Sequence, residues 1–149
     1  MSEEKCSKCV NKRRKKAEIK DKHYDKWQEM LDVFMERYEN KQAGLVYHSH
    51  FEKRSFERVI NSKHVLDVLY EGEVIDRHFR FGEERFIVMS YVKTAPKVYR
   101  AIHLVISPLD EYRWIVITAY SPESQPWKWN EFLDERVCFC SKKGKGEYL

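Results

Sequence analysis

The sequence predicts an α+β fold, with N-terminal helices packed on a four-stranded antiparallel sheet and a short C-terminal helix. Three observations predict it. Before Gly72, apolar residues recur every three or four positions; beyond it they alternate. Short turns separate the alternating runs, whereas parallel neighbours need crossovers of about a dozen residues or more. The 149 residues suit one compact domain, on a prior of about 100–200 residues each. A 42% hydrophobic share, with 14% aromatic, is enough for a core, and 35% charged residues imply a heavily charged surface.

The elements follow in order. Lys12, Arg13, Arg14, Lys15 and Lys16 form the densest basic run. It leads into Tyr24, Trp27, Leu31, Phe34, Met35 and Tyr38, spaced as one face of an amphipathic helix ending near Gly44. Residues 51–60 read as a second short helix, broken by Asn61 and Ser62. Ser62 can cap a third, carrying Val65, Leu66, Val68 and Leu69, and Gly72 is expected to stop it in the left-handed conformation. Strands are expected at residues 74–81, 86–91, 98–106 and 114–120, with turns at Gly82-Glu83-Glu84 and at Pro108-Leu109-Asp110-Glu111. A loop containing Pro122 and Pro126 precedes a last short helix over 127–136. The organisation is a basic helical arm (1–46), a sheet domain (47–136) and a basic tail (137–149), packed as one unit.

No apolar run approaches the ~18 residues of a membrane span, and the N-terminus lacks the apolar stretch of a signal peptide. The expected setting is the cytoplasm, with no membrane, where the four cysteines are reduced thiols or metal ligands. Cys6 and Cys9 form a Cys-x-x-Cys knuckle, and Cys138 and Cys140 a second pair. Together they supply the four thiolates of a structural zinc site, which leaves no open position for a catalytic metal. Redox chemistry at the first pair is the alternative, although the strand-to-helix setting it uses is missing. The formal net charge of +4 permits a phosphate-bearing partner without demanding one.

His50 is followed by Arg54 and Arg58, and then by Gly72-Glu73-Val74-Ile75 and Arg85-Phe86-Ile87-Val88. Arg100-Ala-Ile-His103, Thr118-Ala-Tyr120-Ser-Pro122 and Trp127 complete the series. In order and spacing this resembles the family called domain of unknown function 4258, from about His48 to Trp127. The family is thought to belong to the barnase/EndoU/colicin/RelE group of ribonucleases, often encoded as toxins. The resemblance therefore implies a helix packed on a curled sheet, RNA cleavage, and a cognate antitoxin that covers the cleft. The first forty residues and the cysteine pairs lie outside it.

Metal-independent RNA cleavage needs a base for the 2′-OH, cations for the phosphate and an acid for the leaving oxygen. Imidazole titrates near the working pH, and arginine grips phosphate through a planar fork. Four-residue spacing puts His50, Arg54 and Arg58 on one helical stripe, which suits a shared cleft but equally a solvated face, or Arg58 paired with Glu57 or Glu73. Alternation places His103 with Ala101 and Val105, opposite Ile102 and Leu104, as a catalytic residue or as a hydrogen-bonded core histidine. Tyr120 ends the last strand, where it can meet a phosphate or simply close the core. His48, His64 and His78 have weaker cases.

The leading expectation is a metal-independent endoribonuclease that needs no catalytic cofactor, with His50 and His103 moving protons, Arg54 and Arg58 holding phosphate, and Tyr120 assisting. Lys12, Arg13, Arg14, Lys15 and Lys16 would bind the RNA backbone, or would simply solubilise the helix. The rival expectation is a non-catalytic RNA- or protein-binding module with a structural zinc site.

Overall fold

A computed structural model of the chain describes residues 7–140. Helix α1 (Ser7–Glu39) runs unbroken for 33 residues, through the basic run and the apolar stripe alike. Its buried residues include Trp27, Leu31, Phe34 and Met35, all from the expected face. The helix stops before Gly44, with Lys41 in the left-handed region at φ 61°. Strand β1 (Gly44–Tyr47) follows, then α2 (Ser49–Arg58), α3 (Ser62–Glu71), β2 (Glu73–Arg80), β3 (Glu83–Ala95), β4 (Val98–Pro108) and β5 (Arg113–Tyr120).

The sheet has five strands in the order β1-β5-β4-β3-β2, rather than the expected four. It is also mixed, because β1 pairs parallel with β5 while the other neighbours are antiparallel. A parallel pair needs a long connection, which the intervening helices and three strands supply. β1 escapes a periodicity reading because four residues contain only two alternations.

Two cap expectations are corrected. Asn61, not Ser62, caps α3: its side chain accepts from the His64 backbone N–H, and the His64 ring accepts from the Asn61 N–H. Gly72 is extended rather than left-handed, with φ −92° and ψ −179°. Its need for glycine is spatial, since a Cβ would sit 2.5 Å from the backbone oxygens of both Met89 and Val68.

The helix expected over 127–136 is also absent. Pro122–Ser124 and Pro126–Lys128 are 3₁₀ turns, each opened by its proline. The chain then doubles back, with Asn130 N–H bonded to the Glu135 carbonyl and a bridge between Trp129 and Arg136. The Asn130 side-chain oxygen accepts from the backbone N–H groups of Asp134 and Glu135. Such local bonds compete with helix formation, which is why Asn favours turns.

The sheet is covered on both faces. On one, α1, α2 and α3 enclose Phe34, Val68, Phe86, Ile102, Leu104 and Trp114. On the other, Ile75, Ile87, Met89, Ala101 and Val105 pack against Trp129 and Leu133 of the C-terminal segment. Ala101 and Val105 thus part from Ile102 and Leu104, as strand alternation predicts. The segment after β5 is what turns the second face of the sheet into an interior.

Candidate functional site

A cleft of about 620 Å³ opens where α2 meets the end of β5 and the turns that follow it. The stripe on α2 delivers His50, Arg54 and Arg58 to one wall, as their spacing predicts. Tyr120 and Thr118 come from β5, and Arg100 from β4. Ser121, Ser124, Gln125, Lys128 and Arg136 form the opposite wall.

Among the described residues, no acid lies within ion-pair distance of Arg58. Its guanidinium donates to the Thr118 hydroxyl at 3.1 Å and to the Ala119 carbonyl at 2.8 Å, which ties α2 to β5. Helix α2 ends there with a 6→1 bond from Ile60 N–H to the Ser55 carbonyl, leaving Val59 left-handed at φ 56°. A β-branched residue is a genuine outlier in that conformation, where glycine is usual. Arg100 braces it by donating to the Arg58 and Val59 carbonyls at 3.2 and 3.4 Å. Arg54 instead pairs with Glu57 at 3.2 Å. Burial, then the Arg54 charge, lowers the pKa of Arg58.

His50 stands among these cations. Burial, followed by Arg58 and Arg54, holds its pKa below the ordinary 6.5. The imidazole is therefore neutral at pH 7 and able to accept a proton.

His103 lies behind the cleft rather than in it. It is fully buried and does not line the cavity. One ring nitrogen, Nε2, lies 2.7 Å from the Leu133 carbonyl, which can only accept, so Nε2 carries the proton. Nδ1 is then the acceptor for the Tyr120 hydroxyl, at 3.4 Å. The two residues are register partners on β4 and β5, and the Trp129 ring packs edge-on against the imidazole at 4.4 Å. Burial pushes the pKa of His103 down to about 4, although the Leu133 carbonyl opposes this. Burial likewise raises the pKa of Tyr120, with Arg136 and Arg58 opposing it. Tyr120, which lines the cleft, thus stands between His103 and the cavity.

Arg100, Lys128 and Arg136 went unassigned in the sequence. Arg100 stands inside the motif that carries the family resemblance, three residues before His103, and that position is the signal that could have found it. Lys128 and Arg136 lie in the stretch misread as a helix, which has no periodic signal to place them. Lys128 is buried, which lowers its pKa to about 8, with Arg136 adding to the effect. Among the described residues the cleft is lined by five cations, Arg54, Arg58, Arg100, Lys128 and Arg136, and one carboxylate, that of Glu57. Its field therefore favours an anion.

The basic run of α1 is largely engaged elsewhere. Arg13 forms a two-pronged pair with Glu135 at 2.7 and 3.0 Å, and Lys16 reaches Asp76 at 2.7 Å. The Lys12 ammonium sits 4.8 Å from the centre of the Phe139 ring. Arg14 meets Asn11 and Glu18 on its own helix, and Lys15 is exposed. None of the five lines the cleft. His48 accepts from the His50 backbone N–H, His64 belongs to its capping box, and His78 lies 3.9 Å from Asp76.

Cys9 at the start of α1 meets Cys138 and Cys140 from the far end of the described chain. Their sulfurs all lie within 4.8 Å of one another, and those of Cys9 and Cys140 are 3.5 Å apart. Tetrahedral zinc–thiolate bonds of about 2.3 Å imply sulfur separations of about 3.8 Å, so the three residues could hold a metal ion. The Phe139 N–H donates to the Cys9 sulfur at 3.3 Å, a contact that favours a thiolate. Cys6, the expected fourth ligand, and the basic tail beyond Cys140 lie outside the described residues.

The fold and cleft define an α+β domain with a cationic cleft at the edge where helix, strand and turns meet. Residues 47–121, half of the chain, match the model of a family described as domain of unknown function (DUF4258). The chain belongs to that family. The match takes in His50, Arg58, Arg100, His103 and Tyr120, and leaves out α1, Lys128, Arg136 and the cysteines. No curated protein and no solved structure matched the chain. Among the described residues, no helix is long and apolar enough to cross a membrane.

Proposed function

We propose that the cleft binds single-stranded RNA and cleaves it without a metal, by transfer of the phosphorus to the neighbouring 2′-oxygen. The observation that carries this reading is the convergence of His50, Arg54, Arg58 and Tyr120 in one cleft with five cations and one carboxylate. Arg54 and Arg58 hold the phosphate, and His50 takes the 2′-OH proton. The 2′-oxygen bonds to phosphorus as the bond to the 5′-oxygen breaks, leaving a 2′,3′-cyclic phosphate. The Tyr120 hydroxyl turns from His103 Nδ1 and gives its proton to the departing 5′-oxygen, an alkoxide far more basic than a phenolate. Arg58 and Arg136 offset the burial that disfavours the tyrosinate. His103 aligns the Tyr120 hydroxyl and is a positioning residue.

Purified protein is incubated with RNA in buffer without divalent metal. The expected result is fragments ending in cyclic phosphate, with an acidic limb of the pH–rate profile below about 6.5. His50→Gln should slow cleavage by about a hundredfold or more. Intact RNA, or equal cleavage by His50→Gln, would sink the assignment.

The depth at which His103 is buried favours a second reading, a non-catalytic RNA-binding module. It predicts salt-dependent binding of RNA that stays whole. In either reading Cys9, Cys138 and Cys140, with Cys6, hold a structural zinc, and the setting is the cytoplasm. In the first, a cognate antitoxin would cover the cleft.

A further inference from the structure

Three guanidiniums of the cleft share a property that the other paired arginines lack. Arg13, Arg77, Arg85 and Arg113 spend their charge on Glu135, Glu84, Glu83 and Asp110. Among the described residues, the hydrogen bonds of Arg58, Arg100 and Arg136 go to neutral oxygens, namely the Thr118 hydroxyl and the carbonyls of Ala119, Arg58, Val59 and Cys138. Among the described residues no carboxylate lies within ion-pair distance of any of the three. Each is therefore oriented by hydrogen bonds to neutral groups and leaves its charge without a paired carboxylate among the described residues. Guanidiniums preorganised in this way pay less side-chain entropy when an anion arrives.

Arg136 differs from the other two in what anchors it. Arg58 and Arg100 are fixed by α2 and the sheet, whereas Arg136 belongs to the irregular segment after β5. Its Nε donates at 2.8 Å to the carbonyl of Cys138, one of the three clustered cysteines. The N–H groups of Val137 and Cys138 both donate to the Lys128 carbonyl, at 2.7 and 3.2 Å, so the same residues hold the Lys128 wall. Phe139, between Cys138 and Cys140, places its ring 5.0 Å from the Arg136 guanidinium.

We propose that Arg100 and Arg136 complete, with Arg58, a subsite for the phosphates of the polynucleotide, and that a metal held by the cysteine cluster keeps Arg136 in it. The inference deepens the RNA reading and rests on it for the identity of the anion. The metal does no chemistry in the cleft. It holds the Cys138 carbonyl, and the carbonyl holds the arginine.

The test uses the full chain, zinc(II), and a 2′-O-methyl RNA oligonucleotide, which binds but lacks the attacking hydroxyl. Affinity is read by fluorescence anisotropy across a salt series, with circular dichroism to check the fold. Arg136→Gln and Arg100→Gln should each weaken binding by about tenfold. Each should also make the salt slope shallower by about 0.7, the value for one phosphate contact on a single strand. Removing zinc should weaken the unaltered protein by a similar factor and Arg136→Gln hardly at all, because both changes remove the same contact.

An unchanged affinity and slope in Arg136→Gln overturns the subsite. Equal loss on zinc removal in both proteins overturns the coupling. A second measurement is independent of RNA: the Arg136 Nε–H resonance should be protected from exchange with zinc bound and lose that protection without it. If the unaltered protein does not bind the oligonucleotide, the RNA reading and the subsite fail together. The Arg136 resonance still decides whether the metal holds the arginine.

Discussion

At the scale of single residues, His103 and His50 show how burial divides two similar side chains. Both have a lowered pKa, but His50 faces the cleft beside Arg58 while His103 is sealed beneath Tyr120 and Trp129. The alternation of β4 reveals which face His103 occupies. Only the segment packed on that face decides that its ring is buried. His103 also makes stability depend on pH. Its pKa is about 4 in the fold and about 6.5 when unfolded, so between those values the unfolded chain binds more protons and stability rises with pH. Its full contribution is present above about pH 6.5 and is lost as pH falls toward 4, by about 3 kcal/mol. Urea denaturation at several pH values measures this, and His103→Gln should flatten the dependence. An unchanged pH profile in that variant would exclude His103 as the source.

At the scale of elements, the junction between α3 and β2 is tight because helix and strand backbones nearly touch at Gly72. A Cβ there meets two carbonyl oxygens at 2.5 Å, and backbone cannot swing aside as a flexible side chain can. Gly72→Ala should therefore destabilise the protein by about 3 kcal/mol, read as a lower denaturation midpoint with an unchanged slope. A loss below about 0.5 kcal/mol would mean that the junction relaxes. The stripe of α1 and the alternation of β3 and β4 were legible because each repeats its period several times. β1 was not, having only four residues, and neither was the turn at Asn130, where side-chain bonds to nearby amides override a helical pattern.

At the scale of the whole molecule, the two ends of the described chain meet. Cys9 lies beside Cys140, 131 positions away, and Arg13 reaches Glu135 close by. The ion pair is half exposed and contributes about 1 kcal/mol at most. A metal on the cysteines would contribute more, since a ligand bound only to the folded state stabilises it by RT times the logarithm of one plus its free concentration over Kd. Zinc removal should lower Tm by several degrees, and Cys138→Ser should lower it similarly and abolish the response to zinc. A Tm indifferent to zinc in the unaltered protein would remove the metal from the cluster.

The basic helical arm followed by alternating strands, the His50–Arg54–Arg58 stripe and the face of His103 are properties of spacing, and the sequence by itself determined them. The parallel β1–β5 pair, the arrival of Arg136 and Lys128 in the cleft, and the meeting of Cys9 with Cys138 and Cys140 were decided only by the tertiary structure. The physical reason is that periodicity records which side of one element is buried. Which distant segment does the burying depends on how all the elements pack together, and that also sets which cations come to line the cleft.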